Sequence, residues 1–406
     1  MTAPTIDEVI AAVRQRMHLP DPGVVEVLLA AWIMSHVPGE LLWLLLVGPP
    51  SSGKSELVSL LLGLANTHVA SDLSLAGLIT LGGDRDEHDP SKAGVGLLRD
   101  IGDFGIMLAL ELSTLLVEGQ RKDSKVFGAL REICTEHRCS RQIRGKRLEW
   151  TGTCGFIGAV TEAVDELGMG ELGERFVYYR MPEFDENDEI AATLLGLSAD
   201  RPSTADAREL VRRFVKGVKI PDRVPELSDA DKGRITMLAT FVTRCRSQLH
   251  WGSDREITDV PMAERGPRLA RVCRQLLQGL RLIGVAEDEA WRVVCQVALG
   301  SIRTRRRRIL GVLLAADLPM MSATLAVRAR LPESSVRHEL DELHAFGIVD
   351  RIGDRPPTWV VSAKSRDRWL DAVALGGGLD LTTLREVADQ PTSPHGDGSD
   401  RLARDY

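Results

Sequence analysis

The chain has 406 residues, 44% of them hydrophobic and 27% charged, which is ordinary for a globular protein and long enough for two or three domains with their own cores. The longest apolar runs, Val27 to Met34 and Leu41 to Val47, are separated by Ser35-His36-Val37-Pro38-Gly39-Glu40, so neither reaches the length of a bilayer span. No basic-then-apolar leader opens the sequence. Among Cys134, Cys139, Cys154, Cys245, Cys273 and Cys295 there is no CxxC pair. Cys134, His137 and Cys139 lack a second cluster to complete a zinc site, so reduced thiols in a cytoplasmic protein are expected.

In chain order, Thr5-Ile6-Asp7-Glu8 has the spacing of a capping box, with Val9, Ile10, Val13 and Met17 following at helical intervals. Leu19-Pro20-Asp21-Pro22-Gly23 ends that helix, and residues 24–35 make a second, very apolar one. Leu41 to Val47 reads as a buried strand. Directly after it comes Gly48-Pro49-Pro50-Ser51-Ser52-Gly53-Lys54-Ser55, then a helix expected through Leu64. Val69 and Ala70 indicate a short strand, and the Gly- and charge-rich stretch 82–96 a mobile loop. Residues 105–110 read as a strand ending at Glu111, 125–136 as a helix, 140–150 as a hairpin turning near Gly145, 154–160 as a strand ending at Thr161, and 176–179 as a fifth strand. Buried strands alternating with helices imply an α/β unit with a parallel sheet covered on both faces.

After Pro182 the pattern turns helical: 186–197, 205–218, 229–249, 267–283 and 287–302. From Arg305 on, three short helices (306–316, 323–329, 333–345) precede two strands (348–352, 358–361) that turn through Gly353-Asp354-Arg355-Pro356-Pro357. The polar stretch beyond about residue 382 is expected to be disordered. The expected units are N-terminal helices over 1–39, an α/β core over 40–182, an all-helical region over 183–301, a small C-terminal domain over 302–363, and a helix with a disordered tail over 364–406.

The turn after the first strand has the composition of a phosphate cradle. Its glycines let backbone N–H groups face inward, Lys54 can reach the outer phosphates, and Ser55 offers a hydroxyl to Mg2+. The candidate nucleotide-binding stretch is Gly48, Pro49, Pro50, Ser51, Ser52, Gly53, Lys54, Ser55 and Glu56. Hydrolysis needs more than binding, and Glu111 at the end of a neighbouring strand is a candidate to polarise the attacking water and sit beside the metal. Leu110 occupies the position where an Asp would organise Mg2+ water. The bland alternative for Glu111 is an acid at a helix start. Thr161, ending the next strand, is a candidate hydrogen-bond partner for the outermost phosphate or the water.

Together with Gly170-Glu171-Leu172-Gly173-Glu174-Arg175-Phe176, these residues resemble the AAA+ ATPase superfamily over roughly residues 40–300. The resemblance implies a five-stranded parallel P-loop core with an α-helical lid, and ATP with Mg2+ as cofactors. Gly48 to Ser55 resembles Walker A, Ile106 to Glu111 Walker B, and Thr161 sensor 1. Arg175 resembles the arginine finger that completes a neighbouring subunit's site. Arg268 in Gly266-Pro267-Arg268-Leu269 is similar to the lid's sensor 2 arginine, with Arg271 as the competing choice. The resemblance further implies a homo-oligomeric ring, commonly a hexamer, and Leu110 departs from its pattern.

The net charge of −7 argues on average against nucleic acid, but the basic residues cluster. Arg138, Arg141, Arg144, Lys146 and Arg147 crowd the expected hairpin, which resembles the pre-sensor-1 hairpin of helicase-type members such as the minichromosome maintenance helicases. Five cations around a Gly turn suit phosphate contacts on DNA, with Trp150 available for stacking; a solvated charged hairpin is the alternative. Residues 302–362 look like a winged-helix domain in which Arg337 and His338 are the candidate groove contacts. Winged helices also dock proteins, such as a replication or regulatory partner. The Arg303–Arg308 cluster either grips phosphate or solvates a helix start. The expectation is an ATP-driven motor on DNA, a helicase or replication-initiation factor. The rivals are an ATP-binding switch that turns over slowly as a loader or regulator, and a protein-remodelling ATPase.

Overall fold

Helix Ile6–Arg14 starts as its spacing predicts: Thr5 Oγ1 accepts from the Glu8 N–H while the Glu8 carboxylate accepts from the Thr5 N–H, and Ile6, Val9, Ile10 and Val13 face inward. Helix Gly23–Ser35 is buried around its whole circumference, which is why it is apolar on every side. It lies between the central sheet and the helix Pro267–Leu282 of the same chain. This computed structural model describes residues 3–71, 73–80, 96–112, 125–143, 146–165, 175–198, 202–252, 254, 256–316 and 318–374. The expected loop 82–96, except Gly96, and the polar tail lie outside the described residues.

The sheet comprises β1 (Trp43–Val47), β2 (Thr67–Val69), β3 (Phe104–Ala109), β6 (Thr153–Val160) and β7 (Phe176–Arg180), all parallel in the order β2-β3-β6-β1-β7. Between β3 and β6 stand the helix Lys125–Glu136 and an antiparallel hairpin of β4 (Arg138–Ile143) and β5 (Lys146–Thr151). Alternate side chains of β1 enter two different cores. Leu44 and Leu46 pack with the N-terminal helices and the helical region; Trp43, Leu45 and Val47 pack with the helix Lys125–Glu136 and the hairpin. The sheet is thus covered on both faces, as its continuous apolar strands require.

Helices Glu186–Leu197, Thr204–Gly217, Asp229–Arg246, Pro267–Leu282 and Glu287–Gly300 follow, with a small hairpin of β8 (His250–Trp251) and β9 (Ile257–Asp259) that the sequence pattern did not predict. The C-terminal unit has helices Thr304–Ala315, Ser322–Ala329 and Glu333–Ala345. A three-stranded antiparallel sheet joins β10 (Met320–Met321), β12 (Thr358–Val361) and β11 (Val349–Ile352), and helix Ala363–Ala374 ends the described chain. No break in packing separates this unit from the rest. Ile309, Leu310, Val312 and Leu313 belong to the same core cluster as the N-terminal helices and the helices of residues 204–300. Among the described residues no helix is long and apolar enough to cross a membrane. All six cysteines are free and buried, as expected for reduced thiols.

Candidate nucleotide site

The candidate phosphate loop leaves the sheet between its two neighbours. Gly48 N–H donates to Val160 O at 3.3 Å, and Met181 N–H donates to Val47 O at 2.7 Å. A Cβ at Gly48 would stand 2.9 Å from Met181 Cβ, so only glycine fits there. Ser51 (φ 64) and Gly53 (φ 78) adopt left-handed backbone, the conformation that curls successive N–H groups toward one point. The helix that follows is shorter than predicted. It spans Lys54–Ser59, and bonds from Leu60, Leu61 and Leu62 back to residues three earlier carry the chain on as turns. The turn is therefore shaped by its left-handed backbone, with only a short helix behind it.

Lys54 is 5% exposed. Its ammonium donates to the Pro49 carbonyl and, at 3.1 Å, to Ser52 Oγ, so it lies folded across the loop it is expected to serve. Burial pulls its pKa down, against the opposing pull of the Glu111 and Glu162 carboxylates. Ser55 Oγ donates to Leu110 O at 2.7 Å, and Leu112 N–H donates to Ala159 O at 3.1 Å. These two bonds hold residues 110–112 against the loop and the end of β6, leaving Glu111 exposed at the mouth. Thr161, half-buried, ends β6 between β1 and β3. Lys54, Ser55, Glu111 and Thr161 are thus brought together by strand order. Leu110 packs its half-buried side chain on the core in place of an acid.

Two neighbours of the loop went unforeseen. Arg16, buried, meets Glu56 at 2.5 Å, Thr204 Oγ1 at 2.7 Å and the Pro202 carbonyl; Met17 lies over Gly53, where a Cβ would collide with its Cε. Glu56 is therefore held by the N-terminal segment. Arg180, at the end of β7, is also buried. It donates to Asp165 (2.7 Å), Thr304 Oγ1 (2.9 Å), Gly300 O (2.8 Å) and Ile302 O (3.2 Å). A charged residue closing an otherwise apolar strand was the available signal.

Arg175 and Arg268 stand at the opposite end of the sheet from Lys54. Arg175 precedes β7 and donates from Nε to Thr135 Oγ1 at 3.1 Å. Arg268 Nε lies 3.3 Å from the carboxylate of Glu40, which precedes β1, and its other nitrogen donates to Cys134 Sγ at 3.2 Å; Arg271 donates to the same Glu40 at 2.8 Å. Because Glu40 opens β1 and the phosphate loop closes it, neither Arg268 nor Arg271 reaches this chain's own loop. Helix Pro267–Leu282 begins where the sequence predicted, but its first turn lies beside Glu40, at the opposite end of β1 from Lys54.

The hairpin sorts its residues by face. In the β4–β5 register Cys139 pairs with Trp150 and Arg141 with Leu148, and Cys139, Leu148 and Trp150 are buried in the second core. Trp150 donates its indole N–H to Gly102 O at 2.8 Å, so the expected base stacking is not available to it. Arg141 donates to Leu75 O and Ile79 O, both at 3.1 Å, and caps carbonyls of its own chain. Arg138 and Arg147 are exposed and pair with Glu136 (2.7 Å) and Glu149 (2.6 Å). Arg144 and the side chain of Lys146 lie outside the described residues.

In the C-terminal unit Arg306, expected within a phosphate grip or a solvated helix start, is fully buried. It bonds Glu339 at 2.6 Å, Glu342, and the carbonyls of Cys245 (2.8 Å) and Ser247 (2.5 Å). His338 stacks on Trp251 with ring centroids 4.3 Å apart, and burial lowers its pKa. Arg337 is exposed and pairs with Glu333 at 2.7 Å. Among the described residues no cluster of three or more His, Cys, Asp or Glu side chains could hold a metal alone. No protein-family model matches this chain, and no curated protein is similar enough to be matched with it.

Proposed function

We propose that this protein is an ATP hydrolase of AAA+ type that acts on DNA, a helicase or replication-initiation motor. The observation that carries the proposal is the convergence at one end of the parallel sheet: left-handed Ser51 and Gly53, Lys54, Ser55 held against residue 110, Glu111 at the mouth, and Thr161 on the intervening strand. Backbone N–H groups of the loop receive the phosphates and Lys54 neutralises the outer ones. Mg2+ takes hard oxygen donors and keeps much of its water, so the Ser55 hydroxyl with Glu111 nearby fits it; when bound, it neutralises charge on the phosphates. Glu111 accepts a proton from the attacking water, and Thr161 orients that water.

Arg175 faces away from its own chain's loop, which supports a role in a second copy's site. A trans arginine contributes about 10³- to 10⁵-fold in rate. The DNA reading draws on the hairpin's position between the Glu111 strand and the Thr161 strand. The helix-rich C-terminal unit with its antiparallel sheet supports a winged helix that docks protein, with exposed His338 stacked on Trp251 of its own chain. A second reading, an ATP-binding switch with slow turnover, is favoured by Leu110 and by the internally paired hairpin arginines.

Steady-state ATPase rates of the full chain with and without single-stranded DNA test the proposal, with Lys54→Ala as the control that loses binding. Stimulation by DNA in an assembled sample supports the motor, and a negligible rate under every condition supports the switch. A wild-type chain that binds no ATP overturns both.

A further inference from the structure

Five of the six residues from Arg303 to Arg308 are arginine, and helical spacing sorts them by face. Arg306 turns into the C-terminal unit. Thr304, Arg307 and Arg308, at i, i+3 and i+4, share another face, and that face is pinned to the phosphate end of the sheet. Thr304 N–H donates to Asp165 Oδ2 at 3.0 Å, Thr304 Oγ1 accepts from Arg180 at 2.9 Å, and Arg308 pairs with Glu183 at 3.2 Å. Asp165 ends the single turn of 3-10 helix that follows Thr161. Arg180 stands beside Val47 in the β1–β7 register, and the next residue, Met181, packs on Gly48. Arg307 therefore comes down on the rim of the phosphate loop.

Two of the three guanidiniums at that rim are already paired. Asp165 already serves Arg180 and the Thr304 N–H, and Glu183 serves Arg308. Arg307 is half-buried, and among the described residues its guanidinium has no hydrogen bond or ion pair. Burial and the neighbouring Arg180 push its pKa down to about 10, although Asp165, Glu183 and Glu162 pull the other way. Arg180 and Arg308 are committed to Asp165 and Glu183, whereas the Arg307 guanidinium has no bonded partner among the described residues, so an anion arriving at the loop would supply one.

We propose that Arg307 contacts the third phosphate of the nucleotide held by Lys54, and that Arg306 beside it, locked to Glu339 and Glu342, passes nucleotide occupancy to the helix Glu333–Ala345. This rests on the nucleotide reading above and adds a site residue outside the loop, together with a route to the C-terminal unit.

Equilibrium titration with fluorescent ATP and ADP analogues tests it, on the full-length wild type, Arg307→Ala, Arg307→Lys and Lys54→Ala, each checked for fold by circular dichroism. Arg307→Ala should weaken ATP by roughly 10- to 100-fold, the size of one charge-assisted contact, while ADP changes less than about twofold. Arg307→Lys should recover part of the loss, and Lys54→Ala should weaken both nucleotides. Hydrogen exchange should show ATP slowing the amides of 333–345 in the wild type and not in Arg307→Ala. Arg307→Ala binding both nucleotides as the wild type does would overturn the contact. Amides of 333–345 indifferent to ATP in the wild type would overturn the route. A wild type that binds neither nucleotide would instead remove the reading beneath both.

Discussion

At the candidate phosphate loop, groups from three neighbouring strands converge on one spot. Lys54 and Ser55 follow β1, Glu111 follows β3 and Thr161 follows β6. In the hairpin β4–β5 the arginines diverge, Arg141 to backbone carbonyls of residues 75 and 79, Arg138 to Glu136 and Arg147 to Glu149. Both segments have compositions suited to phosphate, yet only in the first do the candidate residues gather at one end of the sheet. The difference lies in what makes each site. A loop built from left-handed backbone and glycine can adopt few alternatives, whereas a guanidinium accepts whichever oxygen the fold brings nearest.

The strongest way to break this contrast is Glu111→Gln. If convergence at the loop is catalytic, hydrolysis should fall by about 10²- to 10⁴-fold while ATP binding persists, measured as phosphate release alongside nucleotide titration. Unchanged turnover would reduce Glu111 to an acid at a chain turn. Next in size is Arg306→Ala, in the second arginine run. Removing a fully buried guanidinium leaves Glu339 and Glu342 without their partner, and chemical denaturation should show a loss of about 3 to 5 kcal/mol. A neutral result would mean that this run, too, is a solvated surface.

Glu26 extends the comparison to buried acids. Burial, reinforced by Glu289 and Asp21 and opposed by Arg292, raises its pKa from 4.5 to about 7. The folded chain then holds this proton more tightly than the unfolded one, so stability is fully present below about pH 4.5 and falls as pH rises through about 7. Glu26→Gln should gain about 1 to 3 kcal/mol near pH 8 and change little near pH 5, read from thermal melts at both. The smallest effect sharpens the hairpin itself. Arg147→Ala should lower the salt dependence of DNA binding by about one unit of slope, whereas Arg141→Ala should cost about 1 to 3 kcal/mol of stability and leave that slope alone. The reverse pattern would restore Arg141 as a DNA contact.

These cases also explain how much could be read in advance. The left-handed turn after β1, the apolar strands and the first capping box were legible because each is a local rule: glycine for left-handed backbone, continuous apolar residues for a strand covered twice, Glu three residues after Thr. Trp150 carried a signal that went unread. Cys139, Leu148 and Trp150 stand on one face of the pleat, which marks that face as buried. Arg268 was found at a true helix start, but no local pattern says which end of the sheet a helix start will meet. Strands of two or three residues, β8, β9 and β10, are too short to show any period.

The anchorage of Arg306 bears on how the molecule can be taken apart. Its acceptors come from both sides of the boundary at residue 302, Cys245 and Ser247 on one and Glu339 and Glu342 on the other, while Trp251 leans across onto His338. Severing the chain there would strip Arg306 of two backbone acceptors on one fragment and wet the Trp251 indole on the other. Halves expressed separately would report on their own torn seams, so dissection of this protein belongs to point substitutions in the intact polypeptide.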